Sequence, residues 1–265
     1  MSILETHDLT RRFGDLVAVD HVNLTVDPGE TFGLLGPNGA GKTTVIKMLT
    51  TLLPPTSGTA SIAGLDMRTQ ANSVRRSIGY VPQMVSVDGD LTGEENLRVF
   101  ARLYDVPREI RGERIKDALE LVGLSDMASR LVRHYSGGMI RRLEIAEAML
   151  HRPPMLFLDE PTVGLDPIGR ETVWERIDQL RKEFGTTILL TTHYMDEAEE
   201  LCGRVAIMHF GKVAAMGTPA ELEASLNKPS ATLDDVFEHY AGGQIETGGG
   251  YRDTVRTRRT LRRLG

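Results

Sequence analysis

Cys202 is the one cysteine among 265 residues, so no internal disulfide can form and a reducing compartment is expected. In EAEELCGRV it falls where a helix should give way to an apolar strand, and it reads as a packing residue rather than a reactive thiol. No stretch approaches the roughly 18–20 apolar residues that cross a bilayer. The opening MSILETHDLT lacks the basic cluster and apolar run of a secretory leader. No internal repeat, low-complexity tract or heptad run is present. The expected setting is the cytosol, or a membrane at which something else holds the chain.

Hydrophobic residues make up 40% of the chain and charged residues 26%, the proportions of a soluble globular protein with a sizeable core. The net charge of −6 is uneven: the segment from Gly248 carries six arginines and one acid, so it is +5 and the body is −11. An acidic body argues against a nucleic-acid partner. The arginine tail reads as a solvated end, a contact with anionic lipid, or a contact with a partner chain.

The opening residues read as β-structure. HVNLTVD alternates apolar Val22, Leu24 and Val26 with polar neighbours, as a half-buried strand does. TFGLLG (31–36) is a short apolar strand. After Lys42, residues Val45, Ile46, Leu49, Leu52 and Leu53 fall on one helical face, and PPTSG should stop that helix. Residues 85–150 read as mainly helical, with one helix from Gly137 to about Leu150. MLFLDE is a buried strand, and Ile168, Val173, Ile177, Leu180 and Phe184 recur at helical spacing. TTILLTTH is a second buried strand, followed by a helix over YMDEAEEL. VAIMHFGKVAAMG reads as a hairpin turning at Gly211, and TPAELEASL as a capped helix. Short strands alternating with helices predict an α/β fold with a mostly parallel sheet. Residues 241–250 read as a linker.

GPNGAGKTT, residues 36–44, follows an apolar strand and opens a helix, the context of a phosphate-binding P-loop. Gly36, Pro37, Asn38, Gly39, Ala40, Gly41, Lys42, Thr43 and Thr44 would surround phosphate oxygens with backbone N–H groups. Lys42 supplies a point charge, and the Thr43 hydroxyl a ligand for Mg²⁺. MLFLDE ends in two carboxylates. Asp159 would face that Mg²⁺, and Glu160 would orient or deprotonate a water; alternatively both cap the next helix. Gln83 and His193 each end an apolar strand on the same sheet edge, where they either sense a γ-phosphate or serve as satisfied structural residues. Phe13 is either an adenine-stacking ring or a core aromatic.

A second anion-binding turn, YSGGM, lies 95 residues beyond Gly41. Its Ser136, Gly137 and Gly138 open a helix. One ATP cannot easily use both turns, so the second should serve the ATP of another subunit in a head-to-tail pair with two-fold symmetry.

In their order along the chain, GPNGAGKTT, Gln83, YSGGM, MLFLDEPTVGLD and His193 resemble the ATPase subunits of ABC transporters, over about residues 3–225. The resemblance implies a P-loop NTPase with a RecA-like core, an antiparallel β-subdomain and a helical subdomain near residues 85–155. The ATPase domain would span residues 1–226, followed by a short extension (227–245) and a basic tail (246–265). It implies ATP hydrolysis with Mg²⁺ in a sandwich dimer, coupled to a membrane permease to which the chain is peripheral. Glu160 would be the general base, His193 the switch residue, Gln83 a metal and γ-phosphate contact, Asp166 an inter-subunit contact and Phe13 the adenine-stacking ring. Tyr135 and Met139 stand where Leu and Gln are commoner, and Val163 where Ser is frequent. The variant YSGGMIRRLEIAEAML and the later TLDDVF are similar to the drug- and lipid-exporting branch, the daunorubicin-resistance ATPases. The alternative is a soluble ABC ATPase of DNA repair or translation, which usually carries a long coiled-coil insertion or a second ATPase unit. A GTPase reading of NKPS (227–230) fails because Ser230 replaces the required Asp.

Overall fold

The structure, a computed structural model, describes residues 2–228 and 230–242. From the N-terminus come β1 (Leu4–Phe13), β2 (Leu16–Val22), β3 (Thr25–Val26), β4 (Thr31–Leu35), α1 (Lys42–Leu49), β5 (Ser57–Ile62), β6 (Leu65–Asp66), α2 (Ala71–Arg76) and β7 (Ile78–Val81). Three helices follow: α3 (Gly93–Leu103), α4 (Arg108–Leu121) and α5 (Gly137–Met149). The chain then alternates through β8 (Met155–Asp159), α6 (Pro167–Phe184), β9 (Thr187–Thr192), α7 (Met195–Leu201) and β10 (Arg204–His209). It closes with β11 (Lys212–Gly217), α8 (Pro219–Ser225) and α9 (Leu233–Ala241).

Six strands form the central sheet in the order β11-β10-β4-β9-β8-β7. All neighbours run parallel except the β10–β11 hairpin. Because successive side chains on a strand point to opposite faces, each central strand feeds two cores. Phe32 and Leu34, Met155 and Phe157, and Ala206 and Met208 pack with α1 and the antiparallel sheet of β1, β2, β3, β5 and β6. Leu35, Leu156 and Leu158, Ile188 and Leu190, and Val205 and Ile207 pack with α5, α6, α7 and α9. A third cluster joins α3, α4 and α5. Leu233, Val236, Phe237 and Ala241 of α9 are buried in the second core, so α9 packs on the central sheet.

The parallel order sets the functional edge. Leu35 is opposite Thr192, Asp159 opposite Thr191, and Val81 opposite Leu158. The loops after β4, β7, β8 and β9 therefore leave from the carboxyl ends of adjacent strands, where open α/β sheets bind ligands.

Four local expectations change. α1 ends at Leu49, not near PPTSG: Thr51 takes a left-handed φ of 60°, which puts Leu52 in solvent. HVNLTVD is not one strand. His21 has φ 50°, and the chain breaks between β2 and β3, although Val22, Leu24 and Val26 are all buried. Ile168 lies on the exposed side of α6 rather than its buried stripe. Ala241 belongs to α9 and Gly242 is its left-handed C-cap, so the expected linker does not begin at 241; the rest of the linker and the arginine tail lie outside the described residues. The hairpin at Gly211 and the Thr218 capping box of α8 form as expected. Cys202 is buried, and burial, helped by Glu197 and Glu30, pushes its thiol well above the ordinary range.

Candidate active site

β4 delivers Gly36, and the chain turns through Pro37, Asn38, Gly39 and Ala40 into α1. Gly39 and Gly41 take φ of 83° and 104°, open to glycine at no steric cost. At Gly41 a Cβ would also stand 2.4 Å from the Ala18 carbonyl oxygen of β2. The β10–β11 turn forms another wall: the Gly211 N–H donates to the Ala40 carbonyl (3.0 Å), and the Asp20 N–H donates to the Gly211 carbonyl (2.8 Å). The loop is held from outside, while the first N–H groups of α1 have no partner within the helix. No acidic residue occupies that first turn, so the positive helix end at Lys42, Thr43 and Thr44 is open to an anion.

Lys42 is buried, and its Nζ donates to the Gly36 carbonyl at 2.6 Å and pairs with Glu160 Oε1 at 3.1 Å. Asp159, the last residue of β8, is also buried; its Oδ1 accepts from Thr43 Oγ1 (3.1 Å) and Thr191 Oγ1 (2.6 Å). Glu160 then takes a left-handed φ of 50°, uncommon for a residue with a Cβ. Its N–H is shared between the Thr191 carbonyl (3.2 Å) and Thr191 Oγ1 (3.0 Å). This kink sends the two neighbouring carboxylates to different partners. Asp159 meets Thr43, whereas Glu160 meets Lys42 and accepts from His193 Nδ1 at 2.8 Å. Burial pushes the Glu160 carboxyl up, but the His193 hydrogen bond and the Lys42 charge outweigh it and hold the pKa below the ordinary value.

Five expected residues thus converge: Lys42, Thr43, Asp159, Glu160 and His193. Gln83 follows β7 on the same edge but is exposed, and its contact is through its carbonyl, which accepts from Arg141 at 3.4 Å. Phe13 is 45% exposed, which excludes a core role, and the Arg11 guanidinium lies 4.6 Å from its ring centre. Ser136 is the N-cap of α5, accepting from the Met139 N–H at 3.3 Å. Ser136 and Gly137 are exposed, and the first turn of α5 again holds no acid. Tyr135 is an anchor rather than a ligand: it is buried, and its hydroxyl donates to the Met127 carbonyl at 2.7 Å. Asp166 caps α6 by accepting from the Gly169 N–H at 2.6 Å.

Two members of the site were not found by sequence reasoning. Thr191 bonds both Asp159 and Glu160; its signal was a hydroxyl inside the apolar strand TTILLTTH. Glu197 of α7 accepts from Thr162 Oγ1 (2.7 Å) and Trp174 Nε1 (2.9 Å). It thereby ties the segment after Glu160 to the helix after His193.

The ABC transporter family profile matches residues 19–163. The chain belongs to the ABC transporter family. This ABC chain is 43% identical over 239 residues to the probable multidrug ABC transporter ATP-binding protein YbhF of Escherichia coli K12, covering 89% of this chain and 41% of that protein. It therefore spans less than half the length of YbhF. It is 46% identical over 223 residues to the daunorubicin/doxorubicin resistance ATP-binding protein DrrA of Streptomyces peucetius, covering 84% and 67% of the two chains. Among solved structures it resembles the ATP-binding cassette MJ0796 in a dimeric post-hydrolysis state bound to ADP and Pi. That match has a TM-score of 0.72 at 27% identity, over 81% of this chain and 98% of the other. Among the described residues, no helix is long and apolar enough to cross a membrane.

Proposed function

We propose that this chain is the ATP-hydrolysing subunit of an ABC exporter for drug-like, lipid or other hydrophobic molecules. It works as a sandwich dimer at the cytoplasmic face of a membrane, docked on a separate permease. The observation that carries the hydrolytic part is the Glu160 carboxylate, fixed between Lys42 and His193 beside the ATP-binding loop. The drug-resistance and multidrug names of the relatives support the exporter part.

In this reading the Gly36–Thr44 N–H groups and Lys42 bind the ATP phosphates. Glu160, held as an anion, accepts a hydrogen bond from the attacking water and draws off its proton, while His193 fixes the carboxylate's orientation. Gln83 and Phe13 complete the pocket at the γ-phosphate and the adenine. Thr43 and Asp159 fit Mg²⁺: two oxygen donors stand 3.1 Å apart, and Asp159 is a buried carboxylate with no cationic partner among the described residues. Hard oxygen donors and a single carboxylate suit this ion, which supplies neutralisation of phosphate charge when bound. Ser136, Gly137 and Gly138 address the nucleotide of the partner subunit, and Asp166 lies at the same interface. Met84, Val85, Leu103 and Ile110 are exposed apolar side chains. Leu103 and Ile110 border an open cleft of about 840 Å³, and this surface fits a permease contact.

Sedimentation of Glu160→Gln protein with and without Mg-ATP tests the reading. The expected result is a monomer that dimerises only with Mg-ATP and has lost about 10²–10⁴ in turnover. Near-normal turnover would remove Glu160 from its role. A protein that stays monomeric with Mg-ATP, even beside its permease, would remove the sandwich.

A further inference from the structure

Helix α5, which opens at YSGGM, carries a buried ion pair beyond its first turn. Arg141 Nη1 lies 3.0 Å from Glu144 Oε2, and both side chains are almost wholly inaccessible. A buried guanidinium must spend its donors on fixed acceptors. Arg141 Nη1 also donates to the Pro82 carbonyl at 2.7 Å, and Nη2 makes longer contacts of 3.4 Å to the carbonyls of Gln83 and Glu160. Glu144 uses its second oxygen, Oε1, to accept from the Ser86 N–H at 2.6 Å and from Ser86 Oγ at 3.0 Å. Two residues of one helix therefore grip the Gln83 loop at both ends and touch the backbone of Glu160.

The grip on Glu160 completes a frame. Its N–H is held by Thr191, its carboxylate by Lys42 and His193, and its carbonyl by Arg141. A left-handed residue with a Cβ persists only when its surroundings over-determine it. Arg141 is the part of that frame belonging to α5, whose exposed N-terminus offers Ser136 to the other nucleotide.

We infer that Arg141, locked by Glu144, is a positioning residue that sets the Glu160 carboxylate and the Gln83 loop according to the position of α5. A shift of α5 as Ser136 engages the partner's ATP is thereby passed to the same subunit's own hydrolytic groups. The inference rests on the ATPase and sandwich reading above.

The test is steady-state ATP hydrolysis by the full chain for the unsubstituted protein, Arg141→Gln and Arg141→Lys, with ATP binding measured in parallel. Arg141→Lys keeps the charge but cannot fork to several carbonyls at once, and it carries the test if Arg141→Gln fails to fold. Loss of the strut should lower kcat by about 10–100-fold while KM and ATP affinity stay within about twofold. Arg141→Lys should recover part of the lost kcat. Activity that falls only in proportion to folded protein, with kcat per ATP-binding site unmoved, overturns the inference. An unsubstituted chain that hydrolyses no ATP, alone or with its permease, overturns the underlying reading and this inference with it.

Discussion

His193 donates from Nδ1 to Glu160 Oε2 across 2.8 Å, and the ring comes from the strand end two residues after Thr191, which holds the Glu160 backbone. One strand terminus thus fixes both the peptide and the carboxylate of the same residue. The carboxylate is buried, which raises its pKa, yet His193 and then Lys42 bring it below the ordinary value. A depressed carboxyl stabilises the fold above its unfolded pKa, and that contribution is lost as pH falls through the folded value.

Removing the imidazole should reverse that balance. In His193→Ala the Glu160 pKa rises, the acid limb of the pH–rate profile moves to higher pH, and kcat falls by about 10²-fold or more. An unmoved acid limb would show that Lys42 alone sets the carboxylate's charge.

Thr191 is the hinge between the two acids, because its one hydroxyl serves Asp159 and Glu160 at 2.6 Å and 3.0 Å. Thr191→Val keeps the shape and removes both bonds. Leaving a buried carboxylate and a buried N–H short of a partner costs about 1–3 kcal/mol, readable by denaturant unfolding. Turnover should fall further than stability explains, since the Glu160 N–H is then held only through the Thr191 carbonyl.

Glu147 lies on α5, three residues beyond Glu144. Burial, and then repulsion from Glu144, push its carboxyl up from 4.5 to about 8, and its Oε1 has no hydrogen-bond partner. For a raised carboxyl the stability is complete below the unfolded pKa and drains away as pH rises through the folded one. Between pH 4.5 and about 8 the fold should therefore lose stability, by several kcal/mol at ~1.4 kcal/mol per unit. Glu147→Gln should flatten that slope, and thermal unfolding followed across this range measures it. A variant whose melting temperature tracks the unsubstituted chain at every pH would mean that another group carries the effect.

The phosphate loop, the two acids and His193 were legible because each is local: a glycine-rich turn between strand and helix, and polar residues at the ends of apolar runs. Thr191 and the Arg141–Glu144 pair were not, because their meaning depends on partners far along the chain, such as Ser86 for Glu144, and no spacing rule reaches across that gap. The apolar run from Val45 through Leu53 concealed the true end of α1, since a left-handed Thr51 leaves no periodic trace. HVNLTVD misled for a related reason: its three valine and leucine positions are buried as alternation predicts, but Val22 ends β2, Val26 belongs to β3, and Leu24 lies in the break between them. Alternation reports which side chains go inside and is silent about breaks in the backbone that carries them.

The Gly36–Thr44 loop leans on Gly211, whose N–H holds Ala40 and whose carbonyl holds Asp20. Gly211 in turn depends on β10 lying beside β4. A chain emerging from the ribosome completes GPNGAGKTT early, yet the loop's outer wall arrives only after about 170 further residues. A ligand of this loop can therefore act as a fastener for the finished fold and not as a template for the nascent one. Fragments ending before β10 carry the motif without the pocket.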